Sequence, residues 1–234
     1  MKVIPDFQNG KIAFVAVDIQ KVYDAEVMGH AHEADTWGAW RFKEVGRNAT
    51  EVLLACRERN YPIIHLQLVV DDFTAHPLEE RDEQGKLLYS VKGTLGAEII
   101  DTMKPLPNEV VVEKNRDSGF YQTNLDNILR SKGVEHLILV GGFTDACFLT
   151  TAYDAWSRNY TFSIVKDAVT AGSEGAHKAA ILTLANWTWG TSVFETKEMV
   201  KAIKGEPYQA WFWEKSHQFP FTTKNIDEMY DLLK

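Results

Sequence analysis

The stretch Leu137-Ile138-Leu139-Val140-Gly141-Gly142-Phe143-Thr144-Asp145-Ala146-Cys147 joins an apolar run to a glycine turn and a cysteine. The four aliphatic residues predict a buried strand, and residues 148–158 have the pattern of a helix. Paired glycines permit backbone angles that other residues avoid. A thiol is therefore predicted at the carboxyl end of a strand and the first turn of a helix. Backbone N–H groups there favour negative charge, so we expect a lowered thiol pKa.

Apolar runs and helical patterns alternate along the rest of the chain. Strands are predicted at residues 11–18, 61–70, 109–114, 136–141, 160–166 and 191–195, and helices at 122–132, 148–158, 174–186 and 197–203. A further apolar stripe with helical spacing runs from Val45 to Cys56. This alternation predicts an α/β fold, a three-layer α/β/α domain with a mostly parallel, doubly wound sheet. Ligands bind beyond the carboxyl ends of such strands.

Two more polar residues are predicted at strand ends. Asp18 follows Ala13-Phe14-Val15-Ala16-Val17, and Lys114 follows Val110-Val111-Val112-Glu113. We therefore expect Asp18, Lys114 and Cys147 to share one crevice. A nucleophilic thiol needs a base and then an acid, and a nearby cation would hold the carboxylate ionised and lower the thiol pKa. Taken singly, each residue has an ordinary alternative: a turn residue, an exposed lysine and a buried structural cysteine.

On these residues the chain resembles the isochorismatase-like cysteine hydrolases, which include nicotinamidases, N-carbamoylsarcosine amidases, and biuret and ureidoacrylate amidohydrolases. The resemblance covers about residues 10–200. It implies Cys147 as nucleophile, Asp18 as proton carrier and Lys114 as charge stabiliser. It also implies an oxyanion hole made by the backbone amides of Phe143 and Cys147, and a cis peptide between Gly142 and Phe143. The family often has valine or isoleucine before a small residue at these last two positions, so the pocket shape does not carry over.

The same resemblance implies a reaction. Cys147 would attack a small-molecule amide or ureide, form a thioester and release ammonia or an amine. The family's isochorismate branch lacks this cysteine, which argues against vinyl ether cleavage. Two alternatives stay open: a thiol redox protein, for which Cys56 would be the second cysteine, and a non-catalytic binding protein.

Candidate substrate-binding residues flank the predicted triad. Gln20 and Tyr23 continue the family's Asp-x-Gln-x-x-aromatic pattern, and Arg116, Phe120 and Tyr121 follow Lys114. Arg116 is expected either to clamp a substrate carbonyl or carboxylate, or to pair on the surface with a nearby aspartate, Asp117 or Asp126.

No metal and no cofactor are expected. The family's nicotinamidases bind zinc or iron through an Asp-x-His pair and another histidine, and that spacing is absent from residues 70–76. His30, His32 and Glu33 could chelate, but one loop without a distant ligand rarely makes a closed site.

Composition limits the partners and the compartment. The 234 residues suit one domain, 1–234, with an aromatic extension at 205–234. With 25 basic and 33 acidic residues the formal charge is −8, which disfavours nucleic acid and anionic membranes as partners. The start lacks a signal-peptide pattern, and no apolar run approaches a membrane span. Two cysteines make no disulfide framework and favour the cytoplasm.

Two segments lie outside the alternation of strands and helices. Residues 25–41 are predicted as a long loop, and residues 205–220 as an aromatic tail. Trp211-Phe212-Trp213 is expected to contact another subunit, with some lid function, rather than to pack on its own domain. The family forms dimers and tetramers, so a homodimer or homotetramer is expected.

Overall fold

The computed structural model describes residues 3–24 and 37–234, with side chains described from residue 41 onward in the second range. Seven strands form its one sheet: β1 Ile12–Val17, β2 Ile63–Leu68, β3 Val110–Lys114, β4 His136–Gly142, β5 Thr161–Thr170, β6 Ser192–Phe194 and β7 Trp211–Phe212. Their spatial order is β3-β2-β1-β4-β5-β6-β7. Six are parallel to their neighbours, and β7 runs antiparallel to β6 at one edge.

In the described part of the chain, six α-helices connect or follow these strands: α1 Trp37–Glu58, α2 Leu125–Ser131, α3 Cys147–Ser157, α4 Glu174–Trp187, α5 Thr196–Lys204 and α6 Ile226–Asp231. Short 3-10 turns lie at Lys21–Tyr23, Leu95–Ala97 and Asp101–Met103. Among the described residues, no helix has both the length and the apolar composition needed to cross a membrane.

The two faces of the sheet are covered by separate apolar cores. Residues of β1 alternate between them, with Val15 in one core and Phe14 in the other. Side chains of α2, α3 and α4 complete the core that contains Cys147, whereas α1 and α5 complete the core that contains Cys56. The predicted α/β fold, a mostly parallel sheet between two helical layers, is confirmed.

Strand order reverses beside β1, which pairs with β2 on one side and with β4 on the other. Parallel sheets form their ligand crevice at such a switch point. A glycine is required there: Gly141 has φ +116, and a Cβ on it would lie 2.0 Å from the Val17 carbonyl oxygen. The end of β4 can therefore lie tightly against the end of β1, just before Asp18.

The aromatic tail packs in part on its own domain, and its contact with another subunit and its lid function stay predictions. Trp211 is buried, packs edge-on against Phe219 and belongs to β7. The Trp213 backbone N–H donates to Thr191 O, and its ring packs on the core. The two-residue strand escaped prediction because an apolar run this short carries no detectable period.

The predicted loop at residues 25–41 is also revised. Helix α1 already begins at Trp37, so the last part of that segment is helical. Residues 25–36, with His30, His32 and Glu33, lie outside the described residues.

Candidate active site

Three side chains meet beyond the carboxyl ends of the central strands. Asp18 follows β1, Lys114 is the last residue of β3, and Cys147 is the first residue of α3. Lys114 Nζ lies 2.7 Å from Asp18 Oδ2 and 3.3 Å from Cys147 Sγ. All three residues are buried, at 2%, 3% and 8% exposed. The structure therefore brings the three predicted residues together around one ammonium group.

The surrounding backbone holds this cluster in place. Lys114 Nζ also donates to Arg116 O at 3.0 Å, so its three N–H groups have three neighbours. Asp18 has φ 49, a left-handed conformation that aspartate tolerates better than most residues. Its Oδ2 forms an ion pair with Lys114, and its Oδ1 accepts no well-directed hydrogen bond from any described residue. An acceptor is thus available for a proton.

Burial controls the protonation of the cluster. It raises the pKa of the Asp18 carboxyl, although the Lys114 charge acts in the opposite direction. It acts to lower the pKa of Lys114, but the charges of Asp18 and Cys147 outweigh it and the pKa is raised. Burial also raises the pKa of the Cys147 thiol well above its ordinary value, with Asp18 adding to the effect and Lys114 opposing it. The expectation of a lowered thiol pKa was therefore wrong, because desolvation outweighs the helix start and the lysine.

The turn before Cys147 carries two free donors. The peptide bond between Gly142 and Phe143 is cis. The Phe143 carbonyl accepts hydrogen bonds from the N–H groups of Ala146 and Phe148, both at 3.0 Å. Within the described part of the chain, the N–H groups of Phe143 and Cys147 donate to no acceptor. They are the two amides that the resemblance assigns to an oxyanion hole.

A buried chain of hydrogen bonds ties this turn to the C-terminal extension. Thr144 donates through both its N–H, at 2.7 Å, and its hydroxyl, at 2.8 Å, to Thr170 O. Its hydroxyl also lies 2.9 Å from His177 Nδ1, and His177 Nε2 lies 2.8 Å from the Tyr230 hydroxyl. Burial lowers the pKa of His177 to about 3, so the ring is neutral near pH 7 and can donate from only one nitrogen. The sequence analysis missed His177, since a histidine inside a helix carries no signal of its partners.

A cleft of about 800 Å³ opens onto the thiol. Five of the predicted site residues line it: Tyr23, Arg116, Tyr121, Phe143 and Cys147. The rings of Tyr23 and Phe143 pack with centroids 5.1 Å apart, and Tyr121 is half exposed. Tyr23 and Phe143 therefore form an aromatic wall on one side of the cleft.

Two predicted substrate-binding residues have structural roles instead. Gln20 is fully buried; its amide nitrogen donates to Leu68 O and Ala97 O, both at 2.8 Å, and its oxygen accepts from Leu68 N at 2.9 Å. With its side chain saturated, Gln20 holds β1 to its surroundings and has no group to offer a substrate. Phe120 is buried in the core against Tyr160 and does not line the cleft.

The turn after Lys114 differs from its prediction. Arg116 Nη1 donates to Thr74 O at 2.8 Å and to Asn115 O, and Arg116 forms no ion pair with Asp117 or Asp126. Asp117 instead lies beside Cys147, with Oδ1 3.7 Å from Sγ. The sequence analysis considered Asp117 only as a partner for Arg116. Spacing could not place it, because the side chains of a short turn follow no period.

Two polar side chains after β2, those of Asp71 and His76, are engaged within their own turns. Among the described residues, no group of three histidine, cysteine, aspartate or glutamate side chains is arranged to hold a metal ion. Asp71 Oδ1 accepts hydrogen bonds from Phe73 and Thr74 in its own turn, and His76 Nδ1 accepts from Leu78 N at 3.1 Å.

Comparison with known proteins agrees with this geometry. A family model described as the isochorismatase domain matches residues 12–198. N-carbamoylsarcosine amidase from Thermoplasma acidophilum is 30% identical, with a TM-score of 0.62, over 80% of this chain and 98% of that chain. Nicotinamidase from Bacillus subtilis is 26% identical, with a TM-score of 0.63, over 79% of this chain and 99% of that chain. An isochorismatase family protein from Desulfovibrio vulgaris, at 24% identity and a TM-score of 0.72, covers 84% of this chain and 100% of its own and shares the fold.

The matched segment contains Asp18, Lys114, Cys147 and the cis turn, and it spans most of the chain. These residues thus lie in a domain found in proteins with amidase activity by name. The chain belongs to the isochorismatase family and is an isochorismatase-like hydrolase.

Proposed function

We propose that the protein is a cysteine amidohydrolase that cleaves a C–N bond of a small amide or ureide through a thioester on Cys147. One observation carries the proposal: the Lys114 ammonium lies 2.7 Å from Asp18 Oδ2 and 3.3 Å from Cys147 Sγ. A base and a thiol that both contact one cation, with the thiol open to a cleft, have the composition that nucleophilic catalysis requires.

Acylation follows from this arrangement. The thiol proton passes to the Asp18 carboxylate as Sγ forms a bond to the substrate carbonyl carbon. The raised pKa of Asp18 makes it a better proton acceptor than an ordinary carboxylate. The carbonyl π electrons move to oxygen, where the free N–H groups of Phe143 and Cys147 would hold the oxyanion.

The intermediate then collapses towards the thioester. The C–N bond breaks, and the leaving nitrogen takes the proton from Asp18 and departs as ammonia or an amine. Water next gives a proton to Asp18 and its oxygen to the carbonyl carbon. The C–S bond breaks, the thiol regains the proton, and an acid leaves. Lys114 keeps its proton throughout and offsets the negative charge on sulfur and carboxylate.

Two relatives support cleavage of a C–N bond. N-carbamoylsarcosine amidase and nicotinamidase are amidases by name, and this chain covers nearly the whole of each at 30% and 26% identity. Their substrates differ. Family membership therefore supports the type of bond that is cleaved, and the residues of the cleft determine which acyl group is accepted.

The redox alternative is disfavoured by the position of the second cysteine. Cys56 belongs to the core on one face of the sheet and Cys147 to the core on the other. A disulfide between them would require the sheet to open, because bonded cysteines need Cα atoms within about 7 Å. Burial also raises the pKa of Cys56, which makes it a poor thiolate.

The test is ammonia release from a panel of nicotinamide, biuret, ureidoacrylate, N-carbamoyl amino acids and simple primary amides. We expect turnover of at least one compound, abolished by Cys147→Ala and retained by Cys56→Ala, the matched loss of the other thiol. Turnover by the Cys147→Ala variant within about tenfold of the parent would reject the thiol mechanism.

Compartment and assembly belong to the same proposal. A catalytic free thiol works best where thiols stay reduced, which favours the cytoplasm. A homodimer or homotetramer is proposed on family resemblance alone, and light scattering coupled to gel filtration would measure the mass.

A further inference from the structure

We propose that the substrate carries a positive charge, as an alkylammonium or a guanidinium group beside the scissile amide or ureide, and that Asp117 selects for it. The inference rests on the proposed function and specifies its substrate class. The geometry behind it is an uncompensated carboxylate in contact with the nucleophile.

Asp117 is well placed for this role. It is exposed on the cleft wall, and its Oδ1 lies 3.7 Å from Cys147 Sγ. No described lysine or arginine lies within ion-pair distance of its carboxylate. A carboxylate 3.7 Å from the sulfur lies within non-bonded contact distance of the groups next to a carbonyl carbon that the sulfur attacks.

The cations nearest in sequence are engaged elsewhere. Lys114 Nζ contacts Asp18, Arg116 O and Cys147, which uses all its donors. Arg116 turns Nη1 towards the carbonyl oxygens of Thr74 and Asn115. Those carbonyl partners are neutral, so Arg116 keeps its charge at the cleft wall, but neither cation lies within ion-pair distance of the Asp117 carboxylate.

A second carboxylate extends the negative wall. Glu79 is half-buried and lines the same cleft, and its side chain has no hydrogen-bond or ion-pair partner among the described residues. By contrast, Asp154 at the same wall is neutralised by Arg158, whose Nη1 lies 2.7 Å from Oδ1, and its other oxygen accepts from Ser118. Among the described residues that line the cleft, Asp117 and Glu79 are therefore two carboxylates without an ion pair, against one cation without an ion pair, Arg116.

Without a bound cation, the negative charge of Asp117 disfavours the proposed reaction. The Asp117 charge contributes to the raised pKa of Cys147 and opposes the negative charge that develops on sulfur and on the carbonyl oxygen. A substrate cation bound to Asp117 offsets this repulsion during the reaction, whereas a substrate carboxylate adds a second negative charge and increases it. The expected order is therefore cation, then neutral, then anion.

Charged thiol reagents test the inference without any substrate. Cys147 would be labelled with the trimethylammonium-ethyl and the sulfonatoethyl methanethiosulfonates. Each labelling rate would be divided by the rate at which the same reagent reacts with free 2-mercaptoethanol, which corrects for intrinsic reactivity. Peptide mass spectrometry would assign the label. We expect a cation-to-anion rate ratio above about tenfold, since a unit charge this close acts through a partly desolvated cleft.

Variants identify the residue responsible. Asp117→Asn should lower the ratio at least about threefold and Glu79→Gln by less, whereas the exposed Glu58→Gln on α1 should leave it unchanged. A ratio near one in the parent, or a ratio that Asp117→Asn does not move, would overturn the inference.

Three amides matched in length extend the test to turnover: β-alaninamide, butyramide and succinamate carry a cation, no charge and an anion at the same distance from the carbonyl. We expect kcat/KM to fall in that order, and the order to collapse in Asp117→Asn. Selective labelling without hydrolysis of any amide would contradict the proposed amidase and support the charge preference. Hydrolysis fastest for succinamate would support the amidase and contradict the charge preference.

Discussion

Lys114 and Asp18 form an ion pair with 2.7 Å between Nζ and Oδ2, and their side chains are 0% and 1% exposed. The pair links the ends of β3 and β1, which are separated in the sheet by β2. Two charges at this depth stabilise each other, but the loss of one leaves the other buried without its partner.

We therefore predict that Lys114→Met destabilises the protein by about 3–5 kcal/mol, as expected for a broken buried pair. The double variant Asp18→Asn/Lys114→Met should recover most of that stability, because no buried charge remains, while turnover stays abolished. Urea unfolding followed by circular dichroism measures the first effect, and ammonia release the second. The exposed pair of Lys92 with Glu113, 4.0 Å apart, is the control: Lys92→Met should change stability by less than about 1 kcal/mol. A double variant no more stable than Lys114→Met would refute this account of the pair.

The pH dependence of alkylation tests the protonation state of Cys147. Because burial raises its pKa, the free enzyme holds a neutral thiol near pH 7. The rate with iodoacetamide should therefore climb from about pH 7 to beyond about pH 9 without a plateau. Asp117→Asn should shift the profile to lower pH, since that charge raises the thiol pKa. A plateau reached below neutrality would mean that a thiolate is present at rest.

A substitution at Phe143 distinguishes two expected roles, substrate binding by the ring and oxyanion binding by the backbone N–H. The side chain lines the cleft against Tyr23, whereas the N–H is one of the two free donors. Phe143→Ala should raise KM and admit branched amides while kcat changes less. The fully exposed Phe73→Ala, at 98% exposure, provides a control that should alter neither constant. An equal loss of kcat on short and branched amides, with KM unmoved, would show that the ring supports the turn.

Hydrogen bonds connect Tyr230 through His177 to Thr144, in the turn that precedes Cys147. Tyr230→Phe removes one hydrogen bond of the chain, so the turn loosens and kcat should fall about threefold to tenfold with KM nearly constant. Tyr208→Phe is the matched control, because it removes a tyrosine hydroxyl that does not belong to this chain of hydrogen bonds. Nitrogen NMR of the His177 ring gives a second readout, because its preferred tautomer depends on both partners. A Tyr230→Phe enzyme with native kcat would remove this positioning role.

The elements that could be predicted from the sequence are those with a periodic apolar pattern or a strong local signal. The strands around Asp18, Lys114 and Cys147 are apolar runs with charged or glycine ends, and these predict both the sheet and the meeting of the three residues. Gln20 and Phe120 were misplaced because a motif gives the order of residues and not the direction of a side chain. The pKa of Cys147 was misjudged for a related reason: position at a helix start is visible in sequence, whereas the depth of burial is not.

The most direct test of the central claim is mass spectrometry of the enzyme quenched in acid during turnover of its best amide from the panel. The account predicts an adduct on the peptide that contains Cys147, with the mass of the acyl or carbamoyl group that remains on sulfur after the amine or ammonia has left. The adduct should be absent from Cys147→Ala and present in Cys56→Ala. Turnover by Cys147→Ala at the parent rate, or an adduct on any other residue, would contradict it.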